Sequence, residues 1–301
     1  MSPRAAQAAA APPVRVHPAA PPVETRQFEL TRTHDGRELV IRGDVYLSPD
    51  AATGVVFSHG FKGFGRWGFY PFLAPHVAAA GLNAVTFDYS GSGTGADRET
   101  YTDADAFARN TYMLELADLS AVVTEAREQG WIGERYGVFG HSRGGGDAIL
   151  HAAKSPGVAA LVTWAAISHV LRWLPAVAGE WRRRGYTEVL NARTGDVLRL
   201  NTTLLDECER LGATDLNIER AASEISVPWL LVHGTADESV PLDDAHRLYA
   251  AAGGSDARHV ELAIVEGGNH VFGGGHPLGE PPEMLRALVA RTADFFAAHV
   301  R

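Results

Sequence analysis

Short apolar runs alternate with longer amphipathic segments over most of this chain. The runs lie between turn-forming residues and predict buried strands at residues 55–58, 82–87, 136–140, 159–164, 229–233 and 260–265. The segments between them predict helices at residues 70–80, 114–129, 144–153, 242–252 and 282–299. Continuous apolar strands that alternate with helices are typical of an α/β fold with a doubly wound, mostly parallel sheet covered on both faces.

The N-terminal part of the chain departs from this alternation. Strand-forming residues 27–33 and 38–47 flank Asp35-Gly36, a strong hairpin signal, and they predict an antiparallel pair of strands. Residues 1–24 are rich in Ala and Pro and predict a tail. A weak export signal is the alternative, although the early Pro12-Pro13 pair and the lack of large aliphatic residues make a poor signal core.

A second departure lies between the strands predicted at 159–164 and 229–233. The connection is far longer than a strand crossover needs. It predicts first a helix at residues 168–184. A hairpin follows, with strands at 187–190 and 197–200 around a turn at 191–195, and then a second helix at 203–210. We therefore expect a small helical cap at 167–224, inserted into an α/β core made of residues 25–166 and 225–301.

Composition narrows the classes of partner. The formal net charge of −9 argues against nucleic acid or an anionic membrane as the main partner. The one cysteine, Cys208, allows no intrachain disulfide and requires no oxidising compartment. No apolar stretch reaches the roughly 18–20 residues that a membrane span needs. These features predict a cytoplasmic protein that acts on a small molecule, and they leave the oligomeric state open.

The candidate chemistry begins with Gly140-His141-Ser142-Arg143-Gly144, directly after a predicted strand. Gly-x-Ser-x-Gly is the pattern of a nucleophile elbow, in which a sharp strand-to-helix turn holds a serine at its apex. The turn strains the serine backbone, and the two glycines let neighbouring chain approach closely. Ser142 is therefore the candidate nucleophile, whereas His141 is interpreted as a packing residue that points away from the site.

A serine nucleophile needs a base and an acid that orients the base. Because functional groups gather at the carboxyl ends of strands in such sheets, the search is restricted to the residues that follow each strand. Asp237 follows the strand at 229–233, and His270 follows the strand at 260–265. His276 is the rival base, and a simple turn cap is the alternative role for Asp237.

The chain order Ser142, Asp237, His270 resembles that of the α/β-hydrolase superfamily, from about residue 27 to the C-terminus. The likeness is carried by residues 140–144, 233–241, 267–270 and His59-Gly60-Phe61-Lys62-Gly63. It implies that the backbone N–H groups of Phe61 and Arg143 form the oxyanion hole. Within the superfamily the chain is similar to bacterial serine carboxylesterases of the cinnamoyl/feruloyl type and to the dienelactone-hydrolase-like group. The type member of the latter group uses a cysteine nucleophile where this chain has Ser142.

The resemblance implies hydrolysis of carboxylic esters through an acyl-enzyme, with neither a metal nor an organic cofactor. A serine peptidase or thioesterase on the same machinery is the alternative. A dinucleotide-binding protein is a further alternative, because Gly63-x-Gly65-x-x-Gly68 is followed by Asp88 after the next strand. We expect Asp88 instead to shape or brace the loop beside the site, and Asp147 to pair locally.

Overall fold

The computed structural model describes residues 16–173, 175–190, 195 and 197–300. Its centre is an eight-stranded sheet in the order β1-β2-β4-β3-β5-β6-β9-β10. These strands are β1 (Glu24–His34), β2 (Arg37–Leu47), β3 (Gly54–Ser58), β4 (Asn83–Asp88), β5 (Tyr136–His141), β6 (Val158–Trp164), β9 (Trp229–Gly234) and β10 (Val260–Val265). β1 pairs antiparallel with β2, and β2 pairs antiparallel with β4. All the other neighbours in this sheet are parallel.

Helices cover both faces of the sheet. They are α1 (Tyr70–Ala79), α2 (Ala104–Ala108), α3 (Tyr112–Glu128), α4 (Arg143–Lys154), α5 (Pro175–Arg184), α6 (Thr202–Leu211), α7 (Ile218–Glu224), α8 (Leu242–Ala251) and α9 (Glu283–His299). One apolar core joins α3, α4 and α8 to the sheet, and a second joins α1 and α9 to its other face. The central strands β3, β4, β5, β6 and β9 are buried along their whole length. The predicted fold class is thereby confirmed.

The segment between β6 and β9 contains α5, α6, α7 and a separate antiparallel pair, β7 (Tyr186–Leu190) with β8 (Val197–Asn201). The predicted hairpin and second helix are present, and the turn residues 191–194 lie outside the described residues. The predicted helix at 168–184 is wrong in its first half, because α5 begins only at Pro175. Proline suits a helix start, and upstream the Ser168 backbone N–H donates to the Asp244 carboxylate at 2.7 Å. The short helix α7 was not predicted.

The predicted tail is described only from residue 16 onward. His17 lies on the surface of α1, where its backbone N–H donates to the Pro71 carbonyl at 3.1 Å and its Nε2–H donates to the Gly279 carbonyl at 2.9 Å. Among the described residues, no helix is both long enough and apolar enough to cross a bilayer. The cytoplasmic location and the boundaries at residues 25, 167 and 225 stay predictions.

Candidate active site

Ser142 sits on a sharp turn between β5 and α4. Its backbone has φ 57° and ψ −123°, which is a strained conformation for a residue with a side chain. The turn requires both flanking glycines. A Cβ on Gly140 would lie 2.4 Å from the Gly144 carbonyl oxygen, and a Cβ on Gly144 would lie 2.3 Å from the His59 carbonyl oxygen. The Gly-x-Ser-x-Gly pattern therefore forms the predicted elbow geometry.

Asp237 and His270 meet across the ends of the neighbouring strands β9 and β10. His270 Nδ1 lies 2.8 Å from Asp237 Oδ2, so its N–H donates to the carboxylate and Nε2 keeps a free lone pair. The other oxygen, Oδ1, accepts the backbone N–H groups of Ser239 and Val240 at 2.8 and 2.9 Å. Burial acts to raise the pKa of Asp237, but these hydrogen bonds outweigh it and leave the pKa below its ordinary value.

Two cavities meet at Ser142. The smaller, of about 220 Å³, is lined by Gly60, Phe61, Lys62, Gly63, Trp67, Tyr70, His141, Ser142, His270 and Val271. The larger, of about 410 Å³, also reaches Ser142 and His270 and extends between the core and the α5–α6 segment. Its other lining residues are Phe61, Lys62, Tyr112, Arg143, Ile167, Val170, Arg172, Trp173, Val189, Leu200, Leu204, Ser239 and Val240. Ser142 and His270 thus border both spaces in which a substrate could sit.

The two residues implied as oxyanion donors, Phe61 and Arg143, both border the larger cavity. Phe61 lies in a tight turn closed by the Gly63 N–H and the Gly60 carbonyl at 2.9 Å, a bond that does not use the Phe61 N–H. Arg143 is the first residue of α4, where a backbone N–H has no acceptor within the helix. Both N–H groups are therefore available by local geometry.

The loop that carries Phe61 is held from behind by two side chains. The buried His59 donates from Nδ1 to the Gly60 carbonyl at 2.9 Å and accepts the Tyr89 backbone N–H at Nε2 at 3.1 Å. Burial lowers the pKa of His59 to about 4, so this ring is neutral. Asp88 accepts the Gly65 backbone N–H at 2.6 Å. Asp88 therefore contacts the loop in the way expected of a brace.

The glycines of the dinucleotide hypothesis have a packing explanation. A Cβ on Gly65 would lie 2.9 Å from the Phe87 backbone, and one on Gly68 would lie 2.4 Å from the Gly274 carbonyl oxygen. Arg66, between them, is buried in an ion pair with Asp44 at 2.8 Å. These residues form a packed loop that precedes α1 rather than the start of a helix, so the geometry of a phosphate-binding turn is not present.

Comparison with known proteins now decides the family. The model of the prolyl oligopeptidase family matches residues 67–301. The chain belongs to this family. A 2,6-dihydropseudooxynicotine hydrolase of Paenarthrobacter nicotinovorans is 26% identical over 221 residues, which are 70% of this chain and 50% of the relative. This chain therefore spans about half the length of that curated relative.

Solved structures agree on the fold. Est1E from Butyrivibrio proteoclasticus has a TM-score of 0.61 and 17% identity, with 89% of this chain and 96% of that chain covered. An esterase domain from a Rhodothermus marinus protein has a TM-score of 0.60 and 19% identity, with 92% and 99% covered. The predicted membership of the α/β-hydrolase superfamily is confirmed, and within it this chain is a member of the prolyl oligopeptidase family.

His141 does not point away from the site as expected. It is buried, borders the smaller cavity, and donates from Nε2 to the His270 carbonyl at 2.9 Å. Burial lowers the pKa of His141 to about 3, so the ring is a neutral donor that holds the His270 backbone. His141 and Ser142 therefore both border the smaller cavity, although the sequence predicts that His141 points away from it.

His233 is a further residue that sequence reasoning missed. It is fully buried near the end of β9, and its Nε2–H donates to the Val240 carbonyl at 2.9 Å. This bond fixes the loop that carries Asp237. The strand-end rule that predicts Asp237 and His270 could also have found His141 and His233, because both lie at the carboxyl ends of strands. The rival base His276 does not contact Asp237. Its Nδ1 instead accepts the Gly68 backbone N–H at 2.9 Å.

The aromatic and basic residues of the segment between β6 and β9 divide between cavity and core. Trp173 borders the larger cavity, whereas Trp181 is buried and donates its indole N–H to the Leu200 carbonyl at 3.0 Å. Arg182 lies on the surface, where it pairs with Asp206 at 2.9 Å and with Glu209. Arg182 therefore belongs to a solvated helix face.

A buried acid cluster lies behind the elbow. Arg143 donates from Nε to Glu115 at 2.6 Å, and its guanidinium stacks over the Tyr112 ring at 3.8 Å from the ring centre. Asp147, one turn further along α4, is fully buried close to Glu115. Burial, followed by the nearby negative Glu115, raises the pKa of Asp147 well above its ordinary value. Ionisation of Asp147 therefore disfavours the folded state.

Replacing Asp147 with asparagine is expected to stabilise the protein at neutral pH. Between the ordinary carboxyl pKa and the raised pKa of folded Asp147, the unfolded chain releases a proton that the folded chain retains. Over that window the free energy of unfolding falls by up to about 1.4 kcal/mol per pH unit. Asparagine has the same shape and cannot ionise. Urea unfolding from pH 4 to 8 should therefore show a gain for Asp147→Asn that grows with pH.

The control is Asp294→Asn on the exposed side of α9, for which we expect a curve parallel to that of the wild type. A gap between Asp147→Asn and wild type that stays constant across the pH range would contradict a retained proton on Asp147.

Proposed function

We propose that this protein is a serine carboxylesterase in which Ser142, His270 and Asp237 form the catalytic triad. The observation that carries the proposal is the placement of the strained Ser142 and of His270 around the same two cavities, with His270 tied to Asp237 at 2.8 Å. This bond orients the ring and leaves Nε2 unprotonated, as a general base requires.

The proposed reaction proceeds in two halves. His270 Nε2 takes the Ser142 hydroxyl proton while Oγ attacks the ester carbonyl, and the N–H groups of Phe61 and Arg143 stabilise the oxyanion. The tetrahedral intermediate collapses, the C–O bond to the alcohol breaks, and the alcohol leaves with the proton from His270. Water, deprotonated by His270, then attacks the acyl-enzyme in the same way and releases the carboxylic acid and free Ser142.

Cavity size and the nature of the structural relatives favour esters over peptides. The two cavities, of about 220 and 410 Å³, suit the two halves of a small or medium ester. Two of the solved structures of similar fold are described as an esterase domain and as Est1E bound to ferulic acid. Peptide hydrolysis is the second candidate, because the family that contains this chain is described as prolyl oligopeptidase.

Rates on matched substrates test the choice between these two. We expect turnover of p-nitrophenyl butyrate and of a methyl hydroxycinnamate, with kcat/KM far above that for aminoacyl p-nitroanilides, and stoichiometric labelling by a fluorophosphonate probe. A higher kcat/KM for the anilides would replace the esterase proposal with the peptidase one. An absence of labelling by the probe would count against a serine nucleophile of either kind.

A further inference from the structure

The cavities around Ser142 have a charge opposite to that of the whole protein. Among the residues that the structure describes, their lining includes Lys62, Arg143 and Arg172 and no Asp or Glu. The chain as a whole has a formal net charge of −9. The positive end of α4 also points at this region, because Arg143 begins the helix. An anion inside the cavities would therefore meet cations, although the chain as a whole is negative.

Two of the three cations already have carboxylate partners. Arg143 pairs with Glu115 at 2.6 Å, and Arg172 pairs with Asp244 at 2.8 Å. Lys62 differs from both. Its ammonium donates to the carbonyl of Leu190 at 3.3 Å, and within the described part of the chain no ion pair includes it. Lys62 is thus the cation of the cavity lining whose charge is not matched by a described carboxylate.

Lys62 also has an unusual backbone position. With φ 59° it adopts the left-handed conformation that favours glycine, next to Phe61 in the turn that ends at Gly63. The Tyr101 hydroxyl donates to the Lys62 carbonyl and fixes this turn. Lys62 lines both cavities, and its ammonium contacts the end of β7 at the Leu190 carbonyl. A lysine held here belongs to the wall that the two cavities share.

We propose that Lys62 binds an anionic group of the substrate, and that the preferred esters carry a carboxylate at the end of an otherwise apolar chain. The apolar wall of Ile167, Val170 and Leu204 would receive the carbon chain, and Lys62 would receive the carboxylate. The inference rests on the proposed esterase function for its reaction and adds the class of substrate. Lys62 acts in this proposal as a specificity-determining residue and takes no part in bond breaking.

The test compares two esters of equal chain length. Mono-p-nitrophenyl adipate ends in a carboxylate, and p-nitrophenyl hexanoate ends in a methyl group. We expect Lys62→Met to lower the ratio of their kcat/KM values by about 10- to 100-fold, the worth of one charge-assisted contact. Lys62→Arg should keep most of the ratio. A general disturbance of the turn would lower both rates together and leave the ratio unchanged.

The chain offers a matched control, because Lys62 and Lys154 are its two lysines. Lys154 is exposed and pairs with Asp215 at 3.4 Å. Lys154→Met should keep the wild-type ratio. A Lys62→Met ratio equal to that of the wild type would overturn the proposal, and so would equal losses in Lys62→Met and Lys62→Arg. If the wild-type protein does not hydrolyse the neutral ester, or hydrolyses it without Ser142, the esterase function is refuted instead.

A second measurement is independent of turnover. In the Ser142→Ala protein, acetylation by N-hydroxysuccinimidyl acetate can be followed at each lysine by mass spectrometry. We expect monomethyl adipate to slow acetylation at Lys62 and to leave Lys154 unaffected. Equal acetylation rates at Lys62 with and without monomethyl adipate would overturn the proposed anion site even if the protein hydrolyses no ester.

Discussion

Replacing Ser142 with alanine is expected to lower kcat for p-nitrophenyl butyrate by about 10⁴- to 10⁶-fold, the range seen when a triad serine is removed. The hydroxyl supplies the only proposed bond to the substrate acyl group, and the backbone of the elbow does not depend on it. Among the described residues, Ser142 Oγ makes no hydrogen bond that shapes the turn. The turn is fixed instead by backbone bonds, such as the one from the Ser142 N–H to the Trp164 carbonyl at 3.0 Å. Folding should therefore be unaffected.

Two readouts accompany this prediction. Labelling by the fluorophosphonate probe should disappear together with turnover, while thermal unfolding stays within a few degrees of the wild type. Ser223→Ala, on the exposed surface of α7, is the matched control and should behave as the wild type. Retention of turnover within tenfold of the wild type would remove Ser142 from the nucleophile role.

The parts of the site that follow from strand ends could be predicted from sequence. Apolar runs report burial on both faces of a strand, and the carboxyl ends of parallel strands meet at one edge. The Gly-x-Ser-x-Gly pattern predicts Ser142, and the strand-end rule predicts Asp237 and His270. The structure brings Asp237 to His270 and places Ser142 and His270 around common cavities. Their catalytic roles remain a proposal that the variants test.

The strand-end rule reaches the positions of the missing residues but not their contacts. The bond from His141 to the His270 carbonyl joins residues far apart in sequence, and it exists only because the end of β5 meets the loop after β10. The Glu115–Arg143 pair likewise joins α3 to the start of α4. Hydrophobic periodicity describes the face that an element buries, but it does not identify which polar side chains meet on that face.

Three buried histidines differ from His270, which is the proposed base. Burial lowers the pKa of His59 to about 4 and of His141 to about 3, and it also lowers the pKa of His233. These rings are neutral donors to backbone carbonyls at neutral pH. His270 differs because its Nδ1–H donates to the carboxylate of Asp237.

Replacing Asp237 with asparagine is expected to lower kcat at neutral pH by about 10⁴-fold, the loss typical of a base held in the wrong tautomer. The backbone N–H groups of Ser239 and Val240 both donate to Oδ1 of Asp237. In the variant they would select the amide oxygen at that position and turn the amide NH₂ toward His270. Nδ1 would then have to accept, which leaves the proton on Nε2, where the base must be free.

The separate effects on kcat and on KM distinguish a wrong tautomer of His270 from a loss of structure. We expect kcat to fall far more than KM rises, and fluorophosphonate labelling to slow in parallel with kcat, because both need the same proton transfer. Asp243→Asn, an exposed carboxylate at the start of α8 that pairs with Arg247 at 2.7 Å, is the matched control and should keep wild-type kcat. A kcat for Asp237→Asn within tenfold of the wild type would show that the carboxylate does not set the tautomer, and the contact between Asp237 and His270 would then be a structural one.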